Sequence, residues 1–484
     1  MITTLYVIIM LQSELKELVE FAQKTKSESN SLEIKAAKID CPKVFDTLSS
    51  FSNQSGGGVI VFGVDEKDYS VCGVYDAADL QKKIMEQSLQ MEPEVRPLFT
   101  VAIIDDKTVV SAEIQEVDNF LKPCFYKGVG RLKGSYVRVG DGDRKMTEYE
   151  VYSFETFRRK IQDELRTADD ADISEINTDE MTKYLINLKI KKPNLAALSN
   201  EKIKALQGFE RNGRPTIAGI MLFSLYPQAF YPQLCITAVA VQGTEISSIG
   251  NVGERFIDNE RIDGTITQML DQSMRFVRKN TKMKTIIDPI TAKREDKPEY
   301  PLVAVRELLL NALIHRDYSI HTDFAPITVR LFSNRLEIEN PGGLYGRMTI
   351  DQLGKVSADT RNPFLANALE VMEITENRFS GIPTVIAAMR EAGLPAPKFE
   401  SERGVFRATL FNETAVAIPL NSKEQELLNF CSVPRSRGEI EEHFRGVLSI
   451  NYVMSSMVKP LVADGRLKLT IPDKPKSRNQ RYYR

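Results

Sequence analysis

Two stretches of the 484-residue chain bring carboxylates, amides and cations to spacings that can do chemistry. In the first, Arg306 to Asp317 (RELLLNALIHRD), Glu307 and Asn311 are the polar residues four apart in a run that is otherwise mostly apolar. Residues so spaced stack on one helix face, so a carboxylate and an amide are aimed together from a helix that packs with its other sides. Such a pair can hold Mg²⁺ or its water shell against nucleotide phosphates, because Mg²⁺ takes one or two protein oxygens and keeps several waters. Glu307 could also orient an attacking water. The plain alternative is a capped, solvated helix face. The second stretch holds Glu28, Glu33 and Lys35; Leu32 and Ile34 alternate with Glu33 and Lys35, which places a carboxylate and an ammonium on one face of a short strand. Three uses are open. Glu28, Glu33 and Asp65 can gather Mg²⁺ or Mn²⁺ to activate water for phosphodiester cleavage while Lys35 stabilises the phosphorane. Lys35, Lys38, Lys43 and the glycine loop Gly56-Gly57-Gly58 can instead bind nucleic-acid phosphates. Or Glu33 and Lys35 form a salt bridge and Glu28 caps a helix.

The elements needed to position these groups are legible around them. Ile327, Val329 and Leu331 alternate with polar or outward residues, as do Leu336 and Ile338, so two strands follow the Glu307 helix, joined by Ser333-Asn334-Arg335. Asn340-Pro341-Gly342-Gly343 closes them in a turn whose glycines let backbone approach a ligand. Val59 to Val64 is an unbroken apolar run after three glycines, which suits a strand buried on both faces. Leu11 to Thr25 has an amphipathic period. Between these regions, Lys202 to Phe209 reads as helix, Leu234 to Val241 as strand and Asp258 to Lys279 as helix; Thr291 to Tyr300 reads as a charged loop and Arg166 to Asp179 as a polar linker. A second polar break at Asn412 to Asn421 precedes three helical segments, Ser422 to Cys431, Arg437 to Phe444 and Ser449 to Ala463. Leu467 to Ile471 and Gln480 to Tyr483 then make a two-stranded wing. This is a winged-helix pattern. From Arg466 to Arg484 there are seven Lys or Arg against one Asp, so Lys474, Lys476 and Arg478 are candidate phosphate contacts, as is Lys459 on the third helical segment, although small winged helices also pair proteins.

The segment Val303 to Gly343 resembles the N box and first glycine box of the GHKL ATPases, in the divergent branch found beside a Schlafen-type Alba-like domain in prokaryotic RecG-like transcriptional regulators. Ser357 to Ala366 is similar to that branch's lid, and Glu376 to Thr384 stands where its second glycine box falls. Glu28-Ser-x-x-x-Glu33-x-Lys35 and Phe51 to Asp65 resemble the Schlafen Alba-like domain over about residues 12 to 155. The resemblance implies ATP with Mg²⁺, held by Glu307, Asn311, Asn340, Gly342, Gly343, Ser380 and Gly381. Two departures matter. Phe379-Ser380-Gly381-Ile382 keeps one glycine of the family's pair, which weakens phosphate cradling and favours nucleotide binding over hydrolysis. The family's adenine-reading Asp has no counterpart, so Glu339 or Asn340 must serve.

Composition limits the rest. A net charge of -2 excludes a chain-wide nucleic-acid field, so any such contact is local. Cys41, Cys72, Cys124, Cys235 and Cys431 are odd in number and without paired spacing, which argues against a disulfide framework or structural zinc. The three histidines His315, His321 and His443 leave little for a histidine-based hydrolase, and His315 belongs with the branch's His-Arg-Asp-Tyr signature. There is no Gly-x-x-x-x-Gly-Lys-Ser/Thr loop to support helicase chemistry. Met1 to Met10 is too short for a membrane span and lacks a basic leader, so Met1 or Met10 can be the start. The expectation is an α+β multidomain chain: a Schlafen Alba-like α/β domain over 12–160, a GHKL-like α/β sandwich over 180–412 and a C-terminal winged helix over 420–484. Its expected function is a cytoplasmic, ATP-responsive nucleic-acid-binding regulator, contacting DNA rather than RNA, homodimeric and without a membrane. The alternatives are an ATP-gated, metal-dependent nuclease, a weak ATPase, or a scaffold with degenerate pockets.

Overall fold

The computed structural model describes residues 10–140, 142–168, 170–247, 256–287, 294–346, 348–356, 359–375, 381–402, 404–412, 422–444, 453–463, 466–471, 477 and 480–484. In the N-terminal region, Leu32–Lys35, Gly58–Phe62, Lys107–Ile114 and Leu98–Ile104 lie in that order in a four-stranded sheet, the first pair parallel and the others antiparallel. The helix Gln12–Thr25 covers one face through Leu15, Val19 and Ala22. The helices Phe45–Asn53 and Ala77–Ser88 cover the other through Leu48, Phe51, Leu80 and Ile84. This double cover explains the apolar run after the glycines: Ile60 and Phe62 enter one core while Val61 and Val64 enter the other. The region ends in the helix Glu148–Arg159, opened by a reciprocal cap between Thr147 and Glu150.

The polar stretch Arg166–Asp179 is built onto the central region rather than spanning solvent. Ala168 and Ala171 are buried against Ile220. Just before it, the fully buried Glu164 accepts the backbone N–H groups of Phe364 and Leu365 at 2.9 and 2.8 Å, and so caps the helix Pro363–Val371.

The central sheet has six strands in the order Asp258–Ile262, Ile236–Ala240, Ile327–Leu331, Arg335–Pro341, Val405–Phe411 and Lys398–Glu402. Its second and third strands pair in parallel and the rest are antiparallel. One face presents Ile236, Ala238, Val329, Leu336, Ile338 and Leu410 to a core shared with the helices Ile266–Asn280, Leu302–His315 and Gly381–Glu391. The opposite face carries ion pairs. Two expectations are corrected here. Asp258–Ile262 is an edge strand, and helix begins only at Ile266, where Thr265 and Gln268 form a reciprocal cap. Within the stretch read as a charged loop, Arg294–Pro298 pairs antiparallel with Met283–Ile287 as a hairpin.

The C-terminal region has its own apolar core, from Leu427 and Ile440 to Leu467 and Tyr482. It contains the helices Ser422–Phe430 and Arg437–His443, a π-helix Val453–Val458 running into the α-helix Lys459–Ala463, and three short strands in the order Arg435–Ser436, Arg481–Tyr483, Lys468–Leu469. The chain is therefore mixed α and β with several separate sheets. Among the described residues, no helix is long and apolar enough to cross a membrane.

Candidate functional site

The helix Leu302–His315 follows Pro301 and buries Val305, Leu308, Leu309, Ala312 and Leu313. Because it packs on most sides, its few polar side chains are conspicuous. Glu307 and Asn311 are half-buried on the face that lines a cavity of about 540 Å³, between the helix and the sheet. Asn311 Nδ2 donates to Glu307 Oε1 at 3.2 Å, which leaves the Asn311 carbonyl oxygen for a cation or its water shell. Burial raises the Glu307 carboxyl above the usual carboxylate range, opposed by the Asn311 hydrogen bond and the neighbouring Arg306. At the same end of the cavity begins the helix Gly381–Glu391. A Cβ at Gly381 would meet Glu307 Oε1, so the helix start lies directly against the carboxylate as it is placed here. Helix starts favour anions.

Strand alternation decides which of Glu339 and Asn340 can serve the cavity. Glu339 lies on the far face of the sheet, held by Arg330 at 3.0 Å and Arg407 at 2.7 Å. Asn340 lies on the cavity face, 4 % exposed, and its Oδ1 is buried without a hydrogen-bond partner among the described residues. An orphaned amide oxygen in such a place is costly unless a ligand completes it. Ile338, Phe406 and Ala408 supply the apolar floor beside it.

Past Asn340 the chain turns. Gly342 has φ of +106°, and a Cβ there would collide with Arg361 Nη1; with Gly343 it lines the cavity rim. His315 also lines the cavity, and burial pushes its imidazole down to about 4, so it is neutral there. The rest of its signature is structural: Arg316 donates to the carbonyls of Thr322 and Ala325 at 2.8 and 2.6 Å, and Tyr318 to that of Leu313 at 2.8 Å. Asn362, from the lid-like segment, donates to the carbonyls of Ile314 and Arg316 at 2.7 Å and closes the end of the motif helix. Ser380 lies outside the described residues.

The N-terminal constellation is organised by Arg138, which no local sequence pattern marks. Arg138, buried beneath the Phe51 ring at 5.3 Å, sits among Glu33 at 2.7 Å, Asp143 at 3.0 Å and Glu28 at 3.6 Å. A guanidinium thus supplies positive charge among these carboxylates. Lys35 completes the group, 2.7 Å from Glu33 on the same strand face. Burial, reinforced by the charge of Glu33, raises Glu28 to about 7. Asp65 is not brought to this cluster; it accepts from Lys38 Nζ at 2.7 Å and from the Lys67 backbone at 3.0 Å. Among the described residues, no group of three or more His, Cys, Asp or Glu is arranged to hold a metal ion. The glycine loop is likewise occupied in part, the Gly56 N–H donating to Glu116 at 3.0 Å. Lys38, Lys43 and Lys459 are exposed, whereas Lys474, Lys476 and Arg478 lie outside the described residues.

Comparison with known proteins matches two separate segments. Residues 28–147 match the family model described as "Schlafen, AlbA_2". Residues 325–410 match the model described as "Putative ATP-dependent DNA helicase recG C-terminal", of HATPase type. The resemblance drawn from the motifs, a Schlafen Alba-like segment joined to a RecG-type ATPase-like segment, is therefore borne out. The second match contains Asn340, Gly342, Gly343 and Gly381 but begins after Glu307 and Asn311. Among solved structures, a protein from Corynebacterium diphtheriae aligns with 18% identity over 85% of this chain and 84% of its own, at a TM-score of 0.39. The N-terminal domain of a RecG-related putative ATP-dependent DNA helicase from Nitrosomonas europaea aligns with 25% identity over 27% of this chain and 92% of its own, at a TM-score of 0.23. No curated protein matches.

Proposed function

We propose that the chain is an ATP-responsive nucleic-acid-binding protein, a DNA-binding transcriptional regulator in which a GHKL-like central module changes how the flanking modules hold their target. The observation that carries this reading is the convergence of Glu307, Asn311, the buried amide of Asn340 and the glycine rim on one cavity of about 540 Å³. Its size falls within the range of small-molecule sites. In this reading Asn340 presents an acceptor and a donor to the adenine edge above Ile338 and Ala408. Glu307 and Asn311 would hold Mg²⁺, and the Gly381 helix start would favour the phosphates. Mg²⁺ would neutralise phosphate charge there. The match to an ATPase-type model over 325–410 supports the nucleotide, and the Schlafen-type match over 28–147 supports nucleic acid as the partner. Lys38, Lys43 and Lys459, with the basic C-terminal segment read as part of a winged helix, are the proposed phosphate contacts, and a homodimer would present paired copies to DNA.

The nuclease alternative, with Glu28, Glu33 and Asp65 around a cation, is less well supported, because Arg138 lies among the first two and Lys38 pairs the third. Calorimetric titration of the full chain with Mg-ATP, compared with Asn340→Ala, tests the reading: micromolar-range binding lost in the variant is expected, and an indifferent variant refutes the role of Asn340.

A further inference from the structure

The rim of the cavity has a second face. The turn that follows the strand Arg335–Pro341 presents Gly342, Gly343 and Tyr345 to the cavity. From behind, it is held by residues far away in sequence. Tyr149, near the start of the helix Glu148–Arg159, donates its hydroxyl to Asp317 Oδ2 at 2.8 Å. Asp317 is 4 % exposed; its backbone N–H donates to the Pro341 carbonyl at 2.9 Å and its carboxylate is ion-paired with Arg361 at 3.3 Å. Arg361 in turn donates to the Gly343 carbonyl at 3.1 Å and lies over the Tyr345 ring at 5.2 Å. Further along the same helix, Phe157 meets the Tyr345 ring edge-on at 5.5 Å. Asn119 adds a 3.3 Å bond to the Gly346 carbonyl. The approach is close: a Cβ at Gly404 would collide with the Tyr149 ring, and one at Gly346 would meet Asp359 first and Phe157 at 2.9 Å.

We infer that the helix Glu148–Arg159 is part of the cavity's architecture, with Tyr149 and Phe157 acting as positioning residues that hold the Pro341–Gly346 turn in place for the nucleotide. This rests on the nucleotide reading of the cavity and adds its regulation. The helix closes the N-terminal region, so docking of that region and filling of the cavity are linked through one shared turn. Linkage is reciprocal: whatever docking contributes to nucleotide affinity, nucleotide returns to docking. Aromatic contacts and a charge-paired relay of this kind transmit position because packed groups have few alternative arrangements.

The test uses the full chain with Phe157→Ala, Tyr149→Phe and the conservative Phe157→Leu, read by ATP calorimetry and by hydrogen exchange. Phe157→Ala is expected to weaken Mg-ATP binding roughly fivefold or more, within the usual range of coupling between sites, with Phe157→Leu recovering part of the loss. Without nucleotide, amides of 342–346 should exchange faster in Phe157→Ala and Tyr149→Phe, while the rest of the central sheet is unchanged. With ATP added to the wild type, amides of 148–159 should gain protection. Unchanged exchange at the turn, together with ATP affinity within about twofold of wild type, would overturn the inference. If the wild type binds no nucleotide, the cavity reading fails on its own; exchange at 342–346 then judges the positioning role, faster exchange upholding it and unchanged exchange rejecting it.

Discussion

The hydroxyl of Tyr149 donates to the carboxylate of Asp317 at 2.8 Å across 168 residues of chain, and this bond joins the last N-terminal helix to the end of the helix that carries Glu307 and Asn311. A cavity in the central region therefore has a rim contacted from the N-terminal region.

Asn311→Ala removes a polar side chain from a helix whose packing is done by its apolar neighbours, and alanine is the best helix former. Mg-dependent ATP binding should fall roughly ten- to hundredfold, as expected when a ligand group to a charged centre is lost from a partly buried site. The far-ultraviolet circular dichroism and unfolding midpoint should stay near wild type. Calorimetry with and without Mg²⁺ checks this, and unchanged affinity would remove the GHKL-like assignment.

Gly342→Ala places a side chain at φ +106° and drives its Cβ into Arg361. Strain of this kind costs on the order of 1–3 kcal/mol. Denaturant unfolding should report that loss, and ATP affinity should fall with it because the same turn forms the cavity rim. A variant as stable as wild type would show that the turn relaxes freely.

Glu164 gives a pH dependence with a definite sign. Burial raises its carboxyl to about 7, opposed by the two backbone N–H groups it caps. Between its ordinary range near 4.5 and about 7 the folded chain binds a proton that the unfolded chain has released. Its contribution is thus full below the unfolded value and is lost as pH rises through the folded one, by up to roughly 3 kcal/mol. Glu164→Gln should flatten that part of the stability profile. Urea unfolding at several pH values from acid to neutral, for both proteins, makes the comparison; parallel profiles would show that Glu164 does not titrate there. Glu28, raised to about 7 by burial and by Glu33, contributes to both proteins alike and cancels.

Arg138→Ala leaves Glu33, Asp143 and Glu28 facing one another without their shared guanidinium. Removing one partner of a buried ion cluster typically costs about 3–5 kcal/mol. The N-terminal region should unfold at markedly lower denaturant, while ATP binding is retained if the cavity's support from the Glu148–Arg159 helix survives. Tyrosine fluorescence through a urea titration is the readout. Wild-type stability in the variant would mean the carboxylates accept a different counter-charge.

How much of this was legible in the sequence depends on how local each signal is. Glu307 and Asn311 stood out because two polar residues in register on an apolar helix contrast with everything around them. The strands at Val59 and Ile327 followed from alternation or its absence. The strand Asp258–Ile262 was misread because an edge strand with exposed Asn259, Glu260 and Arg261 buries little and so shows no period of two. Arg294–Pro298 is too rich in charge to show an apolar period. The choice between Glu339 and Asn340 needed only strand parity, since Ile338 is apolar and neighbours alternate; the sequence contained that answer. By contrast Arg138 pairs with Glu33 over 105 residues, and Phe157 with Tyr345 across the seam, and no local pattern marks either. Long-range ion pairs and ring contacts are decided by tertiary packing alone.

The most direct measurement of the central claim is the binding of labelled duplex DNA, single-stranded RNA and tRNA to the full chain at two salt concentrations, with and without Mg-ATP, in wild type and Asn311→Ala. A salt-sensitive complex with intact nucleic acid is expected, whose affinity changes with Mg-ATP in the wild type and not in Asn311→Ala. Nucleic-acid binding indifferent to ATP in both proteins, or cleavage that disappears in Glu28→Ala/Glu33→Ala, would contradict it.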